Sequence, residues 1–226
     1  MRLSVVGKNS HYLSNKMAIS DSLSKLYNES GDLPSISQQV FKKGNIISIY
    51  EKVYQLNFKI TDKFNIPWKL EKEKKKIEKW ECQKATANFG GRIWTAWFTT
   101  EIPLQEGPYY FKGLPGQIVS LEDSKKHYQF QLISVQNIKN AEELTVPQPR
   151  RVINLDSKGF TKYWQNYRKE PLGWLEQMAQ VGFVITGMQD ENGKEEDINL
   201  AKIKQRKGAQ DWVKRNNNFI DLKLYQ

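Results

Sequence analysis

Residues 76–100 read KIEKWECQKATANFGGRIWTAWFTT, and the fold class turns on how this stretch is parsed. The glycine pair Gly90-Gly91 interrupts two extended runs that carry aromatic and β-branched residues. That pattern marks an antiparallel hairpin rather than a helix. The expected strands cover 76–88 and 91–100. On the second, the two-residue period places Trp94 and Phe98 on one face and Trp97 on the other. A strand with tryptophan on both faces is covered on both, by core or by a bound apolar ligand.

Strand signals continue outward from this hairpin. A loop rich in Pro and Gly runs from Pro103 to Gly116, and the alternation in 118–123 and 128–133 predicts another antiparallel pair around Asp123-Ser124-Lys125-Lys126. Upstream, Leu3–Val6 and Ser10–Leu13 read as a hairpin across Gly7-Lys8-Asn9. Asn45–Ile49 and Val53–Ile60 read as a second, with Tyr54, Leu56, Phe58 and Ile60 sharing a face, and Pro67–Leu70 as a shorter extended piece. Between them Ile19, Leu23, Leu26 and Tyr27 have helical spacing that ends at Gly31.

The last third changes character. Phe160, Tyr163, Trp164 and Tyr167 fall at i, i+3, i+4 and i+7, an amphipathic helix stopped before Pro171. Leu172, Leu175, Met178 and Ala179 predict a second short helix, Val181–Thr186 a buried strand, and Ala201–Arg215 a basic surface helix. Strands first and helices after give an α+β class, predominantly antiparallel β. The expected form is a curved, meander-like sheet with a few helices packed on it, mainly from the C-terminal third. A single domain is expected over 1–226, β-rich through 138 and helix-rich from 139.

The chain of 226 residues carries 35 Lys+Arg against 25 Asp+Glu, a formal net charge of +10. Such an excess points to a polyanionic partner only when it is focused. Counted by segment it is spread: +4 over 1–68, +3 over each of 69–84, 139–170 and 194–215, −3 over 171–193 and zero over 85–138. The densest run, 69–79, is threaded with three glutamates and reads as a solvated hairpin edge rather than a phosphate-binding arm. A single cysteine excludes an intramolecular disulfide framework and a cysteine zinc site, and two histidines leave few ways to build a metal cluster. No apolar run reaches the length of a membrane-spanning helix, and Met1–Lys8 lacks the apolar core of a signal peptide.

No convergent catalytic set emerges, and no cofactor or metal is expected. Cys82 has no histidine near it in sequence and reads as a small buried hydrophobe. His127 follows Glu122 and Asp123 across a turn, where an exposed hairpin histidine is the simpler reading. Gly113-Leu114-Pro115-Gly116-Gln117 lacks the Gly-Lys-Ser/Thr ending of a phosphate loop, and Pro115 removes an amide donor. The unusual stretch is 89–118, which gathers Phe89, Trp94, Trp97, Phe98, Tyr109, Tyr110 and Phe111 among prolines and glycines. It reads either as a cap over the core, with Pro115-Gly116 in a type II turn, or as a ligand pocket lined by Trp94, Trp97, Phe98, Tyr109 and Phe111. The composition favours the cap.

Three blocks of this region, Cys82–Ala85, Gly91–Pro103 and Gly107–Ile118, resemble the GLPGLI family, first noticed as a paralogous set in Porphyromonas gingivalis and spread through the Bacteroidetes. The signature hexapeptide maps onto Gly113, Leu114, Pro115, Gly116, Gln117 and Ile118, with Gln117 in place of the usual leucine. Asn216–Lys223 and the stretch from Asn166-Tyr167 to Pro171 are also similar to family members. The resemblance implies a protein of unknown function with no assigned catalytic residue. It also implies a signal peptide and a first strand ahead of Leu3, so the expectation is either a frame truncated at Met1, the favoured reading, with a periplasmic, cell-surface or secreted location, or a copy that has lost export.

The functional expectation is a non-enzymatic binding or cell-envelope structural protein, whose partner would be an apolar small molecule or an envelope component. A hydrolase-like enzyme using Arg92, Glu101 or His127 around the 89–118 loop is the alternative. Specific nucleic-acid binding is the weakest of the three.

Overall fold

The structure, a computed structural model, describes residues 1–13, 39–53, 56–139, 144, 152–173, 188–189 and 195–226. The chain divides into two compact units, 1–157 and 158–226, which are taken in turn.

The first unit holds two sheets, each a meander. Strands β1 (Arg2–Val6), β2 (Asn9–Leu13), β3 (Gln39–Lys43), β4 (Ile46–Val53) and β5 (Leu56–Asp62) pair antiparallel in chain order. Strands β6 (Lys69–Ile77), β7 (Trp80–Phe89), β8 (Arg92–Thr99), β9 (Gln117–Asp123) and β10 (Gln129–Gln131) do the same in the second sheet. The antiparallel β-rich class read from the sequence is what the molecule shows. One strand departs from the meander: β11 (Val152–Leu155) adds to β5 in parallel, with Ile153 opposite Phe58.

The deciding hairpin forms as expected, with β7 and β8 paired from Gln83↔Phe98 to Phe89↔Arg92. Its turn needs both glycines, because Gly90 and Gly91 have φ of 61° and 76°, and a tight turn matching the strand twist requires positive φ at both central positions. A bulge in the β8–β9 ladder follows Trp97, which pairs with Ser120, while Phe98 pairs with Ile118. The extra residue is Val119, and it joins Trp80, Cys82 and Trp97 in a cluster on the face opposite Trp94. The Lys/Glu run is the edge strand β6, longer than the short piece expected from Pro67. Its alternating charges blunt an open ladder edge.

Other boundaries move. Val53 ends β4 rather than beginning the next strand, and β5 starts at Leu56. Tyr54 lies outside the described residues, as do the expected helix over 19–27, the strand over 181–186 and most of the helix begun at Leu172.

In the second unit, α1 (Ser157–Lys169) buries Phe160, Trp164 and Tyr167, the stripe read from the sequence, and ends before Pro171. Helix α2 (Ile198–Arg215) is capped by Asp197, whose Oδ1 accepts from the amides of Asn199 and Leu200 at 2.9 and 3.0 Å. A 3-10 turn, Lys223–Tyr225, is fastened to α1 by the Thr161 hydroxyl, which donates to the Leu224 carbonyl at 3.0 Å. Trp164 is the hub, with the rings of Trp212, Phe219 and Tyr225 packed edge-on within 6.2 Å of it. Burial in this unit pushes the Tyr163 phenol up to about 12. A two-residue ladder joins β12 (Met188–Gln189) to β13 (Glu195–Glu196).

Replacing the α2 cap, Asp197→Ala, is expected to cost about 1 kcal/mol, read as a lower urea midpoint by far-ultraviolet circular dichroism.

Candidate functional site

The aromatic segment lies inside the first unit, and its geometry follows from the short loop after β8. A turn closed by the Phe111 amide on the Pro108 carbonyl (3.0 Å) delivers three consecutive aromatic side chains into the core. Tyr109 adopts a left-handed backbone, φ 55°, and its ring meets Tyr12 of β2 edge-on at 6.5 Å. Tyr110 stacks on Phe64 at 5.0 Å with rings nearly parallel. Phe111 packs on Trp94 at 4.5 Å and on Phe89 at 6.3 Å. The loop therefore joins side chains from both sheets in one aromatic core.

The five residues considered for ligand contact fall into two groups. Trp94, Phe98, Tyr109 and Phe111 are buried on the core side, with Trp94 and Phe111 at 0% exposure. Trp97 is buried on the other face, beneath the ammonium groups of Lys75 and Lys84 at 4.0 and 5.8 Å from the ring centre. Beside it the Cys82 thiol is buried, and burial pushes its pKa up, which keeps it protonated and unreactive at neutral pH.

The hexapeptide is explained by the turn it makes. Gly113 sits at φ 93° and its amide donates to the Gln105 carbonyl at 3.2 Å. Leu114 is buried. At Gly116 a Cβ would stand 2.0 Å from the Thr99 carbonyl oxygen, so the chain can pass β8 there only without a side chain. The amides of Gln117 and Ile118 then close on the carbonyls of Ile102 (3.2 Å) and Glu106 (3.0 Å), starting β9. Gln117 is buried, and its side-chain amide donates to the Ile118 carbonyl at 3.2 Å. The departure from leucine is thus met by a hydrogen bond.

Two buried polar constellations flank the aromatics. The first was not legible in the sequence, because β3 itself was not recognised. Lys42 on the core face of β3 places its ammonium 2.5 Å from Glu106 Oε2, which also accepts from the Ser10 hydroxyl at 3.1 Å. Burial pushes the Lys42 pKa down, against the pull of Glu106. Lys112 completes the fastening by donating to the Gly44 carbonyl at 2.6 Å. Together these bonds tie the aromatic loop to the first sheet.

The second constellation joins two residues considered for catalysis. Arg92 Nη1 donates to Asp123 Oδ2 at 3.0 Å and lies 3.3 Å from His127 Nδ1. The same guanidinium lies over the Tyr128 ring at 5.0 Å. Burial alone would raise the Asp123 carboxyl. The Tyr128 amide, 2.7 Å from Oδ1, and Arg92 outweigh it and hold the pKa below its ordinary value. Glu101, the third residue considered, is not brought to this group. It follows the far end of β8, roughly 25 Å away at about 3.3 Å per residue, and Oε1 there accepts from the Glu81 amide at 2.7 Å. Among the described residues no cluster of three or more His, Cys, Asp or Glu could hold a metal ion, and no helix is long and apolar enough to cross a membrane.

Gly116→Ala is expected to cost about 3 kcal/mol or more, since backbone must move to admit the methyl group. Gly113→Ala, with open space around it, should cost only the roughly 1–2 kcal/mol of left-handed strain. Chemical denaturation of the two variants checks the order. Because the folded Asp123 pKa is depressed, its stabilisation is complete above the ordinary value of 3.8 and is lost as pH falls through the lower folded value. Asp123→Asn should therefore lose stability at neutral pH and show a shallower further loss on acidification, measured as urea midpoints down the acid range.

No curated protein matches the chain in sequence. Among solved structures, PNGF-II in its P21 crystal form is similar at a TM-score of 0.50 and 15% identity, over 70% of this chain and 28% of that one. Its C2 form is similar at 0.40 and 14%, over 66% and 26%. The chain thus spans little more than a quarter of PNGF-II, and at this identity the P21 likeness is one of fold alone. A family model described as a protein of unknown function (Porph_ging) matches residues 91–120, which are strand β8, the aromatic loop, the hexapeptide and the start of β9. That match lies within the signature block, and it supports the likeness of this region to the GLPGLI-type family, whose function is unknown.

Proposed function

We propose that this chain is a non-enzymatic binding or structural protein of the cell envelope, exported to the periplasm or the cell surface. The single observation that carries the reading is how the polar groups around the signature block are used. Arg92 is shared among Asp123, His127 and Tyr128. Glu106 is engaged by Lys42 and Ser10, and Glu101 by a backbone amide. A hydrolytic site needs a base, an acid and a stabilising donor aimed together at one reacting atom. Here the same residue types are spent on fastening a hairpin turn and a loop.

The aromatic set fits this reading as scaffold: Trp94, Phe98, Tyr109 and Phe111 fill the core, and any apolar ligand would enter only by displacing them. The alternative enzyme draws support from the Arg92–His127–Asp123 contact, but without Glu101 it lacks a second carboxylate. The envelope location rests on the family resemblance.

Fractionation of the encoding bacterium, with the protein detected by antibody, is expected to find it in the periplasmic or outer-membrane fraction; recovery with cytosolic markers would sink the envelope reading. Incubation of the purified protein with envelope extract, followed by mass spectrometry, is expected to show no chemical change in the extract. Turnover abolished by His127→Ala would establish the enzyme instead.

A further inference from the structure

Counting charge by folded element rather than by stretch of sequence regroups it. Helix α1 has four basic and no acidic residues, and α2 has six basic and one acidic, so the two carry +9 of the chain's +10. Apart from Asp211 in α2, the acidic residues of the same unit stand outside these helices. Glu170 pairs with Arg206 at 3.1 Å, Asp197 caps α2, Asp221 caps the 3-10 turn, and five more fall between the helices in sequence.

The helices pack through their aromatic residues, with Trp164 and Trp212 6.2 Å apart, and turn their charges outward. Lys158, Lys162 and Lys169 are exposed on α1, and Lys204, Lys207 and Lys214 on α2. Two branched apolar side chains sit on the same outward stripe of α2, Leu200 one turn before Lys204 and Ile203 one turn before Lys207, at 48% and 60% exposure.

We propose that the outward stripe of α2, bearing Leu200, Ile203, Lys204, Lys207 and Lys214, docks on an anionic lipid surface. The lysines would lie against headgroup phosphates, and Leu200 and Ile203 would enter the boundary between headgroups and acyl chains. Charge complementarity alone fits any polyanion. The two exposed apolar side chains decide for a bilayer, because a nucleic-acid backbone offers them nothing, whereas an interfacial helix uses basic and apolar residues together. The proposal takes its setting from the envelope reading above, yet it is tested on purified protein, so a cytosolic result in fractionation and a negative result here remain distinct.

The test is flotation of the full chain with vesicles of phosphatidylcholine, alone or mixed with phosphatidylglycerol. Binding is expected only to the mixed vesicles. Lys207→Gln/Lys214→Gln should weaken it by roughly 25-fold, about fivefold per charge. Leu200→Ser/Ile203→Ser should weaken it by roughly tenfold and remove the fraction that survives high salt. Equal binding to both vesicle types overturns the proposal. So does an apolar double variant that binds as tightly as the parent while duplex DNA competes, which would mark a polyanion contact. If either variant loses its helical circular dichroism, the parent decides: binding retained at high salt supports insertion, and complete loss overturns it.

Discussion

The contact between Phe111 and Trp94 is the one on which the rest of the first unit depends. Trp94 is fixed by its strand and by the bond from its indole nitrogen to the Phe89 carbonyl at 3.1 Å. Phe111 is carried by a loop and reaches Trp94 only because the chain turns sharply on either side. The close passage at Gly116 and the left-handed backbone at Tyr109 are costs of that placement. They are offset by burying three large rings, each worth about 2–3 kcal/mol, in a core no strand of the second sheet could fill by itself. The signature hexapeptide is thus a device for returning the chain to β9 after its aromatics have been delivered.

Much of this was legible in the sequence, for identifiable reasons. The hairpin at Gly90-Gly91 and the helix bearing Phe160, Trp164 and Tyr167 have unambiguous periods, and both formed as read. The aromatic loop was recognisable as a cap because its prolines and glycines forbid regular structure. Strand β3 was missed since its core face carries Val40 and Lys42, and a buried lysine breaks the apolar alternation on which strands are read. Its partner Glu106 lies 64 residues away, and no local pattern links the two. The bond from Arg92 to His127 is equally non-local, made when β8, β9 and β10 align.

Electrostatics was the property most distorted by reading along the chain. Windows drawn by sequence mixed helix faces with their acidic flanks and returned an even spread. Helices sort residues by direction as well as by position, and α1 and α2 place lysines outward while Asp197 caps α2 and Glu170 pairs with Arg206. A different logic holds at β6, where five lysines and two glutamates put charge all along an open strand edge. One arrangement repels other strands without favouring a partner. The other creates a field of one sign.

Strand β11 has a consequence for the order of assembly. It completes the first sheet by pairing with β5, yet about 90 residues separate the two, and the whole second sheet lies in that interval. The first sheet cannot be finished on an emerging chain until the second has been made. Parallel closure over so long a loop comes late, after the local hairpins have formed. The two meanders are consequently not separable modules: a break anywhere between β6 and β10 would leave the first sheet short of its last strand.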